Sequence, residues 1–167
     1  MTVQEFFADE PNADGSINTS IEGMVYWPPN AINGQLVGKI LVDYAHTFHD
    51  GYTVLDFLQM VAGGMLFTCS SGWLLMTSLM PGVSAEIHGG RFGIAGNPRG
   101  PIAETLVTTL MDVFNLQAVY AMVPAHLTGA NNWAASMKFQ PSGVIPLFRC
   151  WDGVPQNRNI YARYKEI

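Results

Sequence analysis

Charge is what this sequence has least of. Asp, Glu, Lys and Arg make up 13% of its 167 residues and apolar residues 49%, about half the usual charged share of a soluble domain. Intrinsic disorder needs the opposite balance and is excluded. Bases are especially scarce early on. Up to Gly90 there is only Lys39 against nine acids, a balance of −8, whereas from Arg91 onward seven bases face four acids, a balance of +3. General nucleic-acid binding requires clustered Lys and Arg to displace counterions, so it is not expected. A local anion site in the second half stays open, with Arg91 and Arg99 the leading contacts.

Cysteine is nearly absent. Cys69 and Cys150 stand 81 positions apart, and they read as buried free thiols in a reducing compartment. A chain of this length buries about two thirds of its extended surface and needs no disulfide staple. The opening MTVQEFFADEPNADGS is acidic and lacks the basic, then apolar, pattern of a secretion signal. The expected location is the cytoplasm of a host or producing cell, with a virion as an alternative. The one long uncharged run, Phe57 to Ala85, is cut by Gly63-Gly64, Ser70-Ser71-Gly72 and Pro81-Gly82. It reads as buried strands, not as a membrane span. No Gly-x-Ser-x-Gly elbow and no Walker sequence occurs.

Residues 1–35 are punctuated by Pro, Gly and Asn and read as an irregular N-terminal arm, packed on the body or on a partner. Met24 to Trp27 is a short strand or an apolar anchor within it. Residues 36–167 read as a single domain. Gln35 to Tyr44 fits strand or helix. Asp50 to Ala62 is more helical, with Val54, Leu55, Leu58 and Val61 at helical spacing. Met65–Cys69 and Trp73–Leu79 form a hairpin candidate, and Ser84 to Ile94 a third strand, whose Gly89-Gly90 implies a bulge or a close backbone approach.

Pro101 suits the first turn of a helix. Behind it Ile102, Leu106, Leu110 and Phe114 recur every four residues, widened by Ala103, Val107 and Met111, and Asn115 can end the helix. Gln117 to Val123 follows as a strand. A second helix is expected from Gly129 to Met137, with Thr128 as its cap. Val144–Cys150 and Arg158–Tyr164 pair across a Trp-Asp-Gly turn. This order predicts an α/β (α+β) domain around a mixed sheet.

From about Met65 the sequence resembles the GCN5-related N-acetyltransferase (GNAT) superfamily, in particular divergent acetyltransferase-like proteins of phage genomes. The resemblance rests on Glu86-Ile87-His88 in a strand, then AGNPRGPIAETLVTTLMDVF and QAVYAMVP. AHLTGANNWAASMKFQPSG and the terminal WDG hairpin complete it, over roughly 100 residues. It implies a mostly antiparallel central sheet flanked by helices. It also implies acetyl-CoA as cofactor if the protein is active, held by the backbone around Ile94, Arg99, Gly100, Pro101, Ile102, Ala103 and Glu104, where the available N–H groups of a helix N-terminus make an anion site.

Several positions depart from the family pattern. Ile102 and Glu104 stand where glycine or a small residue is usual, and Leu127 where Asn is usual. Ala134 replaces the tyrosine, and Lys138 the glycine of Gly-Phe. Glu104 helps its helix but repels a phosphate.

Acyl transfer to an amine needs a proton acceptor. Glu86 and His88, two apart on one strand face, are the candidates, with His126 after QAVYAMV as a third. Asp43, His46, His49 and Asp50 look like a ligand cluster, His46 and His49 sharing a face if helical, but zinc wants an ordered second shell and no cysteine lies nearby, so no metal is expected. Trp133 is free to face outward as a contact residue.

Two functions compete. One is an acetyl-CoA-dependent N-acetyltransferase whose acceptor, over the acidic first half, would be a cationic amine or lysine side chain. The other is a catalytically degenerate structural component of an oligomer or an assembly such as a phage virion, with protein partners and no cofactor. The first predicts an open cleft between the strands Ser84–Ile94 and Gln117–Val123. The second predicts that Leu127, Ile102 or the first 35 residues fill it.

Overall fold

Strand side chains point alternately to opposite faces, and in the middle of this chain both faces are apolar: Leu66 and Phe67, then Trp73, Leu74, Leu75 and Met76. Such strands need cover on both sides. A computed structural model describes residues 1–92 and 100–166 and supplies that cover. Its elements are α1 (Val3–Phe6), β1 (Ile17–Asn18), β2 (Val25–Trp27), α2 (Gly34–Tyr44) and α3 (Val54–Ala62). Then come β3 (Met65–Cys69), β4 (Gly72–Met80), β5 (Ser84–Arg91), α4 (Gly100–Val113), β6 (Ala118–Pro124), α5 (Thr128–Ser136), β7 (Gln140–Trp151) and β8 (Val154–Tyr164).

The strands form a sheet in the order β1-β2-β3-β4-β5-β6-β8-β7. Every pairing is antiparallel except β5 with β6. Leu66, Trp73 and Leu75 pack on one face with Leu36, Val37 and Ile40 of α2 and Phe57 and Val61 of α3. Phe67, Leu74, Met76, Ala85 and Ile87 pack on the other with Leu106, Val107 and Leu110 of α4 and Ala134 of α5. The mixed, mostly antiparallel sheet flanked by helices is the fold class expected.

Gln35 to Tyr44 resolves as helix because Asn33 caps it, its side chain accepting the Leu36 N–H at 3.0 Å. Thr53 and Asp56 make a reciprocal capping box at the start of α3. Asn115 ends α4 with φ of 50°, as expected of an Asn in the left-handed region. In the WDG turn Asp152 and Gly153 have φ of 49° and 72°, the two positive values that a type I′ hairpin requires. Asp50 reaches across to this turn, its carboxylate accepting the N–H groups of Asp152 and Gly153 at 3.1 and 2.9 Å.

Some expectations need correction. Residues 1–35 are not irregular throughout: they supply α1, β1 and β2, and β2 pairs with β3. Phe6 is fully buried, against Phe7 and Phe67. Thr128 does not cap α5; it is the first helical residue, and Leu127 stands at the cap position without a side-chain hydrogen bond. Ile102 leaves the apolar stripe of α4 and is exposed. Both cysteines are free but only half-buried.

If residues 1–35 belong to the folded body, Phe6→Ala should lower the unfolding free energy by about 3–5 kcal/mol, the usual cost of removing a buried phenyl ring. Urea denaturation measures it, and an unchanged midpoint would mean that the segment is a detachable arm.

Candidate functional site

The parallel ladder between β5 and β6 is short. It pairs Ser84, Ala85 and Glu86 with Ala118, Val119 and Tyr120 and goes no further. Beyond that point β5 stays with β4 as far as Arg91, and β6 stays with β8 as far as Pro124. The sheet therefore parts, and a cavity of about 780 Å³ occupies the gap. Its lining comes from both faces of the sheet. On the α4/α5 side the walls are apolar, from Ile87, Ala121, Val123, Ala130, Ala134 and Met137. On the α2 side they are aromatic and polar, and include Tyr44, Tyr52, His88, Phe148, Arg149 and Arg158.

Gly89 and Gly90 border the gap for a steric reason. A Cβ on Gly89 would lie 2.3 Å from the Trp133 ring, and one on Gly90 would lie 2.6 Å from the Trp73 indole nitrogen. An indole rests on each glycine, so Gly89-Gly90 marks a close approach and not a bulge. The bulge of this hairpin lies on β4, between Thr77 and Met80. Trp133 is half-buried at this contact, not an outward-facing residue.

Of the three expected proton acceptors, two come together. His88 Nε2 lies 3.1 Å from Thr77 Oγ1 and 3.6 Å from Glu86 Oε1. His88 lines the cavity, whereas Glu86 stands behind it, buried, outside the lining. Burial, reinforced by the positive charge of Arg158, pulls the His88 pKa down to about 4, so the ring is neutral near pH 7. Burial pushes the Glu86 carboxyl above its ordinary range, and Arg158 opposes this. Tyr44 is pushed up to about 12, chiefly by burial. His126 takes no part: it is exposed outside the cavity, its ring 5.2 Å from that of Trp151.

The expected cofactor positions divide. Ile94 and Arg99 lie outside the described residues, and Gly100 and Pro101 open α4. Ile102 is exposed, while Ala103 is half-buried against the core. Glu104 is not a bare carboxylate: Lys138 Nζ lies 2.7 Å from its Oε1 and holds it below the usual carboxylate range. Lys138 follows α5 with a left-handed φ of 64°. Arg91 is exposed at the cavity edge. His46 and His49 also line the cavity, from a short 3₁₀ turn and the segment after it rather than from a shared helix face.

The whole architecture, not the split alone, is similar to that of known structures. An acetyltransferase of the GNAT family from Bacillus anthracis superposes with a TM-score of 0.63 at 11% identity, over 87% of this chain and 96% of that one. The fold is that of the GNAT acetyltransferases. An acetyltransferase from Salmonella typhimurium that modifies the N-terminal serine of ribosomal protein L7/L12 gives 0.64 at 15% identity, over 87% and 96%. The microcin C7 self-immunity acetyltransferase, solved with acetyl-CoA and AMP, gives 0.59 at 11% identity, over 86% and 93%. Neither a family model nor a curated protein matches the sequence. Among the described residues, no helix is long and apolar enough to cross a membrane.

Sequence reasoning overlooked Phe148, Arg149 and Arg158. Trp151 donates its indole N–H to Thr47 O at 3.0 Å and closes one wall of the cavity.

His88 also makes a stability prediction. Its folded pKa lies below the unfolded value of about 6.5, so between these two values the unfolded chain binds more protons and stability must fall as the pH drops. The loss should reach roughly 3 kcal/mol by pH 4. Glu86, with its raised pKa, opposes this over part of the range. Thermal melts from pH 7 to 4 should show a decline that His88→Asn flattens; an equal decline in both proteins would refute the buried neutral state.

Proposed function

We propose that this protein transfers an acyl group, acetyl in the simplest case, from a coenzyme A thioester to an amine. The observation that carries this reading is the cavity running through the parted sheet, with an apolar side and a polar side that meet at His88. A coenzyme A thioester would supply an activated acyl carbonyl whose C–S bond breaks, its electron pair leaving on sulfur, as the amine nitrogen bonds to carbon.

The residues present suit such a group. Past Glu86 the edge of β5 towards β6 has no strand partner among the described residues, and its two glycines carry no side chain into the gap. An extended amide-bearing chain fits such an edge, because main-chain N–H and C=O groups seek partners there. Ile87, Ala121, Val123 and Ala134 give that side an apolar wall. The first turn of α4, from Gly100 to Glu104, offers unpaired peptide N–H groups to phosphates. Lys138 offsets the charge that Glu104 would set against them.

His88 moves the proton. Thr77 and Glu86 lie at Nε2, which makes Nδ1 the nitrogen left to face the acceptor. An imidazole with a pKa of about 4 is a weak base, but the N–H acidity of an amine rises steeply as its nitrogen is acylated, so a weak base suffices. Glu86, 3.6 Å from the ring, favours the imidazolium that forms.

The competing reading, a degenerate scaffold in an assembly such as a virion, expects a filled cleft. Leu127 only lines the wall, Ile102 is exposed on α4, and β1 and β2 are separated from β5 by β3 and β4. These positions favour catalysis.

Calorimetric titration with acetyl-CoA and with CoA tests the donor half, and thiol release in the presence of amines tests the transfer. Binding is expected, with His88→Gln lowering kcat by about 100-fold or more and leaving donor binding intact. Absence of heat at millimolar acetyl-CoA would overturn the proposal.

A further inference from the structure

The α2 side of the cavity holds two arginines that this chemistry leaves unused. Arg149 of β7 and Arg158 of β8 both sit on the ring of Phe148, their guanidinium carbons 5.0 and 4.8 Å from its centroid. An irregularity in the β7–β8 ladder brings them there. Pairing is regular at Ile145 with Arg158 and resumes at Arg149 with Gln156, with a register shift between. Leu147 takes a left-handed φ of 46° in the shift, and its N–H is held by Asn157 Oδ1 at 3.0 Å. The loop is thus fixed, and the two like charges are fixed with it.

Arg158 is short of partners. Its Nε is buried without a hydrogen bond, and among the described residues no carboxylate lies within 4 Å of its guanidinium. Glu86 acts on it from further away, its own close contact being His88. Arg149 is a second positive charge beside it. Stacking on Phe148 occupies the guanidinium face and leaves the N–H edges free. Two like charges held close in a partly dehydrated cavity repel, and a bound anion relieves that repulsion. The planar N–H fork matches a carboxylate, with two parallel hydrogen bonds. Tyr44, Phe48 and Tyr52 wall the same space, and His88 opens onto it.

We infer that the amine acceptor also carries a carboxylate, as in an α-amino acid, which Arg158 and Arg149 bind while the amino group faces His88. This rests on the acyl-transfer reading and names its acceptor class. It replaces the expectation of a purely cationic amine, which followed from the overall acidity of the first half of the chain. That acidity reaches this space through Asp43, but two arginines stand there as well.

Matched pairs of probes separate the two proposals. Alanine, methionine and phenylalanine are compared with ethylamine, 3-(methylthio)propylamine and phenethylamine, by calorimetry with and without CoA and by thiol release from acetyl-CoA. At least one amino acid should bind about tenfold or more tightly than its decarboxylated counterpart, as a charge-assisted hydrogen-bond pair implies. Arg158→Gln should remove the preference and Arg158→Lys should retain part of it. Arg149→Gln, on the exposed side of the pair, should weaken it and serves where Arg158→Gln fails to fold. Equal binding within every pair, no binding of any probe, or a preference that survives in folded Arg158→Gln would overturn the inference. Thiol release with all six amines alike would do so while leaving acyl transfer standing. An Arg158-dependent preference without thiol release would support the carboxylate site and count against transfer.

Discussion

The parting of β5 from β6 after Glu86 and Tyr120 is the constraint from which the rest of this structure follows. Each strand has a stronger attachment elsewhere. β5 pairs with β4 up to Arg91, and β6 pairs with β8 along its whole length, so twist accumulating on both sides opens the three-residue parallel seam. Trp133 and Trp73 keep the β5 side of the opening in shape, each packed where a glycine offers no side chain. At other positions of β5 a side chain would hold these indoles away, and the gap would have different walls. The same opening explains why apolar residues of one sheet face and polar residues of the other line one cavity.

What this architecture makes available is a place where a buried ring stays neutral. His88 lies at the lip of the gap, with Thr77 and Glu86 behind it and Arg158 across from it. Burial and the neighbouring cation act in the same direction on the imidazole, and both disfavour its protonated form. They act in opposite directions on Glu86. The two side chains, two positions apart on one strand, therefore respond differently to one environment. Such divergence is what allows adjacent groups to take separate roles in proton transfer.

Much of the fold was legible because its signals are local. The four-residue stripe behind Pro101, the QAVYAMV strand and the Asp-Gly turn each carry their own physical reason within a dozen residues. The edge strand Ile17–Asn18 was not legible, since two residues show no periodicity and only pairing with β2 defines it, whereas Val25–Trp27, read as a short strand or an apolar anchor, pairs with β3. The site was half legible. Glu86 and His88 share a face by strand geometry alone, so their proximity follows from spacing. His126 follows β6 directly yet leaves the cavity, because the chain turns at Pro124 and the ring goes to Trp151. Arg149 and Arg158 had no signal at all. Their meeting on Phe148 depends on a register shift across a hairpin, and nothing in the local sequence of either strand announces where a ladder will slip.

Sparse charge sharpens the argument about the arginines. In a protein with many surface ions, two neighbouring cations are readily compensated by mobile acids on long side chains. Here 13% of residues are charged and seven of the eight bases lie after Gly90. Acids within reach of a given base are correspondingly few: Glu104 is engaged by Lys138, Asp112 by Lys165, Glu86 by the His88 contact, and Asp43, on the cavity wall, has a partner of its own. Asp50 is engaged by the N–H groups of the WDG turn. The compensation that Arg158 lacks is therefore not supplied by rearranging these contacts without breaking one of them. Breaking the Asp50 contact would loosen the turn that joins the two arginine-bearing strands, and breaking the Glu86 contact would disturb His88. A small carboxylate entering from the cavity compensates the charge at no such cost, which ties the composition of the whole chain to the chemistry of one bound molecule.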